Sequence, residues 1–220
     1  MLKKIRHAMA KDSEDMGALG GVVEMDEFWI IGNRWRHGWS KKQVTRKPVK
    51  TPVISIVQKS NREFAGRARI VVPELDHKGR LLAVANIRKA ILGNVSMLAE
   101  VHTDEAPHYN EVRAMGFEHG TVKHEDQWVD HLGHVRSNNC ESFHALPKRM
   151  HWGTSRKFSK KYLRGYMEEA AWRWSNRREK PTLDGLVRLA EKRPAPDGKA
   201  PRAPEPWPPP MDEETQMELF

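Results

Sequence analysis

Short runs of β-prone residues, separated by polar breaks, dominate the chain after Val22. The runs are VVEMDEFWII, PVISIVQ and ARIVVPEL, with KSNRE as a polar turn between the second and the third. This pattern predicts three successive strands that form an antiparallel meander. The sequence between the first two runs, GNRWRHGWSKKQVTRKPVK, is basic and poor in aliphatic residues. We interpret it as an exposed loop or flap.

Helical periodicity appears after this meander and alternates with further strand-like runs. Apolar residues at helical spacing fill RLLAVANIRKAIL, and Gly93 follows them. The remaining predicted elements are a strand over 96–104, a helix over 106–116, a strand over 120–124 and helices over 138–150 and 159–178. This order is typical of an α/β fold, and it matches an RNase H-like mixed sheet flanked by helices.

The two ends of the chain differ in composition from this central part. Residues 1–20 predict one amphipathic helix, and we interpret them as the end of a truncated upstream region, which the family resemblance described below implies to be DNA-binding. Residues 21–180 form the predicted domain. Eight of the fourteen prolines lie between Pro194 and Pro210 and precede an acidic end, so residues 181–220 are predicted to be a linker and a disordered Pro-rich tail.

Charge and cysteine content restrict the classes of function. Thirty-eight Lys and Arg against 29 Asp and Glu give a net charge of +9, which favours a nucleic acid partner, although a basic protein without one has the same balance. Cys140 is the only cysteine, so an internal disulfide or a cysteine-rich zinc site is excluded. The sequence has no apolar run of membrane-spanning length and no signal core, which predicts a cytoplasmic protein at the nucleoid.

Three acidic residues occupy positions that suit phosphodiester chemistry. Asp26 lies inside the first strand run, where burial of a carboxylate is costly, and Asp104 closes a later strand. Glu141 follows on a predicted helix, with Lys148 two turns further along the same face. Two cations held by such carboxylates activate the attacking oxygen and stabilise the leaving oxygen. Taken singly, each acid also fits an ordinary edge, cap or surface role.

Several sequence motifs resemble those of the DDE transposases of bacterial insertion sequences. The similarity is greatest to the branch whose full-length members carry an N-terminal zinc ribbon, and it covers roughly residues 21–178. The motifs are VEMDEFW, HTDEAPHYNEVRAMGFEHGTVKH, NNCESFHALPKRM and SKKYLRGYMEEAAWRWSNRR.

This resemblance implies a set of catalytic and metal-binding residues. Asp26, Asp104 and Glu141 would hold two Mg²⁺ or Mn²⁺ ions, and Lys148 with Arg149 would hold DNA beside them. Asn138 matches an Asn of the same motif, so either Glu141 or Asn138 would be the third ligand. The implied reaction is metal-dependent cleavage and strand transfer of an insertion sequence, carried out by a homo-oligomer on element ends and target DNA.

Further residues are candidates for contacts outside the metal site. Tryptophans interleaved with basic residues can stack on bases and grip phosphates, although simple packing or solvation also explains them. His124 matches a His of the family pattern and is a candidate accessory residue. The candidate DNA contacts outside the helix of Glu141 are Trp35, Arg36, Lys41, Lys42 and Arg177.

The sequence also departs from the family pattern. Arg136, Cys140 and His144 stand where the family usually has His, an aliphatic residue and an aromatic residue, and Pro147 interrupts the motif. The cysteine-rich ribbon is missing. Two alternatives therefore remain: an inactive or domesticated transposase that acts as a DNA-binding protein, and an RNase H-like nuclease that cuts without joining.

Overall fold

A single mixed sheet forms the centre of the protein. The computed structural model describes residues 2–32, 49–74, 82–122, 138–155, 158, 162–179 and 181–194. The strands are β1 (Val22–Gly32), β2 (Val49–Gln58), β3 (Ala68–Val71), β4 (Glu100–Asp104) and β5 (Glu118–Val122). Their order is β3-β2-β1-β4-β5; β1 to β3 are antiparallel neighbours, whereas β4 is parallel to β1 and β5 is parallel to β4. The predicted meander and the RNase H-like mixed sheet are confirmed.

Helices cover both faces of this sheet. They are α1 (Leu2–Asp15), α2 (Val84–Leu92), a 3₁₀ turn (Pro107–Tyr109), α3 (Glu111–Ala114), α4 (Asn138–Arg149), a π-helical segment (Met150–Ser155), α5 (Leu163–Ser175) and α6 (Leu183–Lys192). The predicted central helices are therefore confirmed, with shorter bounds. No helix in the described ranges is long and apolar enough to cross a membrane.

Alternation along the strands divides the interior into two cores. Successive side chains of a strand point to opposite faces, so Val23 and Met25 pack on one side of β1 while Phe28 and Ile30 pack on the other. The first core includes Ile87 of α2. The second core lies under α4 and α5, and it includes Cys140, Phe143, Met167 and Ala170. Because Cys140 and Phe143 belong to this second core, α4 is packed closely against the sheet.

Beyond the five-stranded part of the sheet, β1 and β2 continue as a two-stranded ribbon. β4 pairs with β1 only at positions 22–24, and β3 pairs with β2 only at positions 54–57. Among the described residues, positions 28–32 of β1 pair only with positions 49–53 of β2, and Gly32 is the register partner of Val49. The predicted basic flap over 33–48 connects these two ends and lies outside the described residues.

The prediction of a linker directly after residue 180 is wrong for residues 183–192, which form α6. Thr182 caps this helix by accepting a hydrogen bond from the backbone N–H of Gly185 at 3.2 Å. Leu186 and Leu189 pack against a small core of α1 and α5 that contains Met9 and Trp172. Residues 183–192 are thus helical because the apolar face of α6 packs on this core, although the surrounding composition is typical of a loop. The predicted tail from residue 195 onward lies outside the described residues.

The prediction of an amphipathic helix in residues 1–20 is confirmed by α1. Ile5 and Met9 of this helix are buried against Trp172 of α5. Arg6 forms an ion pair with Glu169 of α5, with 2.7 Å between Nε and Oε2. The segment therefore packs as part of the folded unit.

The strand predicted over residues 96–104 is shorter than expected. It begins at Glu100, because residues 96–99 form a turn in which the N–H of Ala99 donates to the carbonyl of Ser96 at 2.9 Å. Leu98 projects from this turn and is 95% exposed. The apolar run therefore predicted a strand that is longer than the observed one. Only the residues that pair with β1 and β5 are extended.

Replacement of Phe143 by Ala tests the packing of α4 on the sheet. Phe143 is fully buried and makes edge contacts with Phe28 and Trp174. We expect Phe143→Ala to lower the free energy of unfolding by about 3–5 kcal/mol, because the lost ring leaves a cavity. Urea denaturation followed by tryptophan fluorescence measures this loss. Leu98→Ala is the control, with an expected change within about 0.5 kcal/mol; equal losses in both variants would contradict this packing.

Candidate active site

The sheet register brings Asp26 and Asp104 to the same face of neighbouring parallel strands. Glu24 of β1 pairs with His102 of β4, and each aspartate lies two residues further along its strand. Side chains two residues apart share a face, and adjacent strands are about 4.8 Å apart. Electrostatics agree with this placement, since both aspartates help to raise the pKa of His108. The sheet therefore places two of the three predicted acids on one face, each two residues beyond the last pair between β1 and β4.

Backbone N–H groups orient both of these carboxylates. Oδ1 of Asp26 accepts from the N–H of Glu27 at 2.7 Å, and Oδ1 of Asp104 accepts from the N–H of Ala106 at 3.0 Å. The second contact is a local turn of the kind that aspartate forms at the end of a strand. Oδ2 of Asp26 lies 3.8 Å from Nδ1 of His144 on α4. These contacts orient both carboxylates, which are half-buried at the surface of the sheet.

A second acid of β1, Glu27, forms a hydrogen-bonded group with the turn after β4. The hydroxyl of Tyr109 donates to Oε2 of Glu27 at 2.7 Å, and Nε2 of His108 lies 3.3 Å from the same oxygen. Burial raises the pKa of Glu27, but the hydrogen bonds from His108 and Tyr109 outweigh it and lower the pKa. The hydrogen bond to Glu27 raises the pKa of His108 in return. This group ties the segment after Asp104 to the strand of Asp26.

The third acid of β1, Glu24, meets the beginning of α4. Its carboxylate accepts hydrogen bonds from the backbone N–H and the side-chain amide of Asn139, each at 2.6 Å, and from the N–H of Cys140 at 3.1 Å. Glu24 is only 1% exposed. Burial raises the pKa of Glu24, and the hydrogen bonds from Asn139 and Cys140 oppose that rise.

His144 stands where the family usually has an aromatic residue, and it retains aromatic packing. Its ring lies on Phe28, with 4.4 Å between ring centroids, and Nε2 is 2.7 Å from the hydroxyl of Ser55 on β2. Burial and the nearby charge of Lys148 lower the pKa of His144 to about 3. The imidazole is therefore neutral near pH 7, and it adds no positive charge beside Asp26.

The candidate third ligands both lie in the first turn of α4. Glu141 is half-buried three residues before His144, so it shares the side of the helix that reaches Asp26. Asn138 is exposed and lies about 60° further around the helix. Within the described ranges, no three His, Cys, Asp or Glu side chains are grouped closely enough to hold a metal ion. The structure thus places Asp26 and Asp104 on one face of the sheet, but in the described ranges they form no three-residue group with Glu141.

A cleft opens where the end of α4 faces β1. It has a volume of about 110 Å³ and is lined by Trp29, Ile30, Lys148, His151 and Trp152. Trp152 is 72% exposed and Trp29 is 47% exposed. The cleft therefore offers two aromatic surfaces and one ammonium group, and its lining contains no acidic residue.

The other predicted contact residues divide into two groups. Arg149 is exposed in the last turn of α4, whereas the guanidinium of Arg177 lies over the ring of Trp174 and donates to the carbonyls of Gly66 and Trp174. Arg177 thus holds α5 against the loop before β3, and a DNA contact by it stays a prediction. The remaining candidates lie outside the described residues: Trp35, Arg36, Lys41, Lys42 and His124.

Sequence reasoning assigned no role to Glu24, Glu27, His108 or Tyr109. A signal was present, because three acids within the four positions 24–27 of a buried strand demand partners. The partners come from the turn after β4 and from α4, which are distant in sequence. These partners could therefore be identified only from the folded structure.

Comparison with the sequence profiles of protein families gives a match over most of the chain. The sequence profile of the ISXO2-like transposase domain matches residues 18–175. No curated protein sequence matches significantly.

Solved structures match with low overall similarity. A chain of the simian T-cell lymphotropic virus intasome in complex with the PP2A regulatory subunit B56 gamma has 14% identity and a TM-score of 0.35, over 79% of this chain and 48% of that chain. The Mos1 strand transfer complex has 16% identity and a TM-score of 0.33, over 86% and 59%. A pre-cleavage Mos1 transpososome has 13% identity and a TM-score of 0.32, over 86% and 60%.

The chain thus spans about half to three fifths of the solved chains that it matches. The profile match, in contrast, covers more than two thirds of the present sequence and includes all three predicted acids. The chain belongs to the ISXO2-like transposase family.

Proposed function

We propose that this protein is the catalytic core of a DNA transposase, in which Asp26, Asp104 and a third ligand on α4 bind two divalent cations. The observation that carries the proposal is the placement of Asp26 and Asp104 on one face of adjacent parallel strands, beneath the helix of Glu141. Family membership supports the same reaction class, which is DNA cleavage and transfer.

The donor set fits Mg²⁺ or Mn²⁺ in chemistry. Hard cations prefer carboxylate oxygens, and the backbone N–H groups of Glu27 and Ala106 orient one oxygen of each aspartate. The bound cations would polarise the phosphodiester and activate the attacking oxygen. Because Glu141 is not grouped with the aspartates in the described residues, we infer that its side chain turns toward them when cations and DNA bind.

Within this proposal, the residues of the chain position the reacting groups rather than react. Asp26 and Asp104 would hold the cations that bind the scissile phosphate, and neutral His144 packs beside Asp26 without a competing charge. Water attacks a phosphodiester at the element end and releases a 3′-hydroxyl, which then attacks a phosphodiester of target DNA and displaces a 3′-hydroxyl of the target. Positioning and charge neutralisation account for catalysis of such transfers.

DNA element ends and target DNA are the proposed partners. The net charge of +9 favours a polyanion, and Lys148 and Arg149 extend from the helix that carries Glu141. Two element ends must be handled together, so we propose a homo-oligomer on DNA.

One observation favours a second candidate function. The absence of a three-residue metal cluster among the described residues is what a DNA-binding protein without catalysis would show. Titration with Mn²⁺ distinguishes the two functions, because only the enzyme binds the ion at Asp26 and Asp104. Strand-transfer assays with pre-cut DNA ends separate a transposase from a nuclease that cuts without joining.

Asp104→Asn tests the assignment of the metal-binding face. We expect metal-dependent plasmid nicking to fall by more than about 100-fold, since loss of a direct ligand exceeds the usual cost of changing its surroundings. Salt-sensitive DNA binding should persist, because phosphate contacts come from Lys and Arg. Asp184→Asn is the matched control, as Asp184 is exposed on α6 and pairs only locally with Arg188. Wild-type nicking by Asp104→Asn would show that the face is misassigned.

Glu141→Gln and Asn138→Ala identify the third ligand. Glu141 lies on the side of α4 that faces Asp26, so Glu141→Gln should weaken Mn²⁺ binding and reduce nicking by more than about 100-fold. Asn138→Ala should reduce nicking by less than about tenfold.

Ser142→Ala, an exposed change in the same helix, serves as the control for both variants. The reverse order of effects would assign the role to Asn138 instead.

The cleft between Trp29 and Trp152 predicts where DNA passes the site. Lys148→Ala should weaken DNA binding and reduce the slope of log affinity against log salt by about 1, because one phosphate contact is lost. Trp152→Ala should cost about 1–3 kcal/mol of binding to single-stranded DNA, whereas Trp152→Phe retains stacking.

Fluorescence anisotropy across a salt series measures both effects. Lys89→Ala is the control, since Lys89 is exposed on α2 on the opposite face of the sheet. Equal losses for Lys89 and Lys148 would indicate general charge rather than a DNA path.

A further inference from the structure

Glu24 supplies an unusual cap for the helix that carries the candidate third ligands. The first N–H groups of a helix lack partners within the helix, and a nearby side chain commonly accepts from them. At α4 the acceptor is instead the carboxylate of Glu24, which lies 115 residues before Asn139 in the sequence. This contact links the start of α4 directly to β1.

Both oxygens of Glu24 are used in this link. Oε2 accepts from the N–H groups of Asn139 and Cys140, and Oε1 accepts from the side-chain amide of Asn139. The thiol of Cys140 also donates to the backbone carbonyl of Glu24 at 3.3 Å. A buried carboxylate needs such donors to offset its lost hydration, and the positive end of the helix dipole stabilises it further.

The link joins two elements whose relative position matters for metal binding. Asp26 follows Glu24 by two residues on the same face of β1, and Glu141 follows Asn139 by two residues on α4. Apolar packing by Phe143 holds α4 against the sheet but is not directional. Hydrogen bonds are directional, and so those to Glu24 fix the rotation and the axial position of α4. A metal site tolerates deviations of only about 0.2 Å in ligand distance.

We propose that Glu24 is a positioning residue, which holds the first turn of α4 in register with β1 and thereby sets the metal affinity of the site formed with Asp26. This inference rests on the proposed function. It differs from a role of Glu24 as a ligand, because Glu24 acts on the metal only through the position of α4.

A double-mutant cycle between Glu24 and Asn139 tests this positioning role. Asn139→Asp places a second carboxylate against that of Glu24, so the pair repels and the helix start shifts. Addition of Glu24→Gln restores a donor opposite the new carboxylate, while the amide oxygen still accepts from the backbone N–H groups. The thiol contact of Cys140 and the packing of Phe143 are kept in every variant.

Two readouts follow the cycle in the full chain. Mn²⁺ titration measures metal affinity without DNA, and hydrogen exchange reports on the backbone amides of Asn139 and Cys140. For Asn139→Asp we expect metal affinity to fall by about tenfold or more, together with faster exchange at both amides. For the double variant we expect most of both effects to be reversed.

Glu169→Gln is the matched control, because Glu169 is another buried acid, on α5, whose partners are Arg6 and Arg173. It should lower stability without changing metal affinity. Unchanged metal affinity in Asn139→Asp would overturn the positioning role. Loss of Mn²⁺ binding in Glu24→Gln alone, without recovery in the double variant, would show instead that Glu24 is a ligand.

The proposed function and this inference fail in different ways. If the wild-type chain neither binds Mn²⁺ nor cuts DNA, the proposed function is wrong, and with it the link to metal affinity. Identical exchange at Asn139 and Cys140 in all variants would overturn the anchor itself, even in a chain that binds metal and cuts DNA.

Discussion

Burial of carboxylates in a central strand is the constraint around which this protein is organised. β1 lies in the middle of the sheet and carries Glu24, Asp26 and Glu27 between apolar residues of both cores. Each buried acid requires donors, and these come from other elements: α4 for Glu24, and the turn after β4 for Glu27. The acids therefore have a structural role as well as the proposed chemical one. They tie the helix and the turn around the site to one strand, so that the geometry of the site and the stability of the fold depend on the same contacts.

The sequence predicted the sheet and the fold class because local patterns of apolar residues specify the strands and helices. Alternating and continuous apolar runs mark β1 to β3, and helical spacing marks α2 and α4. Errors arose where tertiary contacts decide the outcome. The run before Glu100 is apolar, yet it turns because only residues 100–104 find strand partners. α6 lies in a stretch predicted as linker, yet it is helical because its apolar face packs on α1.

For the candidate site, the sequence predicted which acids carry the chemistry but not the contacts that hold them. Asp26 and Asp104 were predicted from strand context, and the register places them on one face of the sheet. The role of Glu24 depends on a contact across 115 positions, which no local pattern specifies. His144 looked like a departure from the family, whereas its neutral ring packs on Phe28 as an aromatic residue would. Composition and spacing thus locate reactive groups, while long-range hydrogen bonds determine how they are held.

The two-stranded ribbon of β1 and β2 sets the distance between the carboxylates and the basic segment at its end. Gly32 is six residues beyond Asp26 on an extended strand, a separation of about 20 Å. Since Gly32 and Val49 are register partners, the basic, tryptophan-containing segment 33–48 leaves and rejoins the ribbon at one place. Base pairs are stacked about 3.4 Å apart, so this length of ribbon corresponds to about six base pairs. Under the proposed function, the ribbon would separate the place of DNA cleavage from the basic segment by that length.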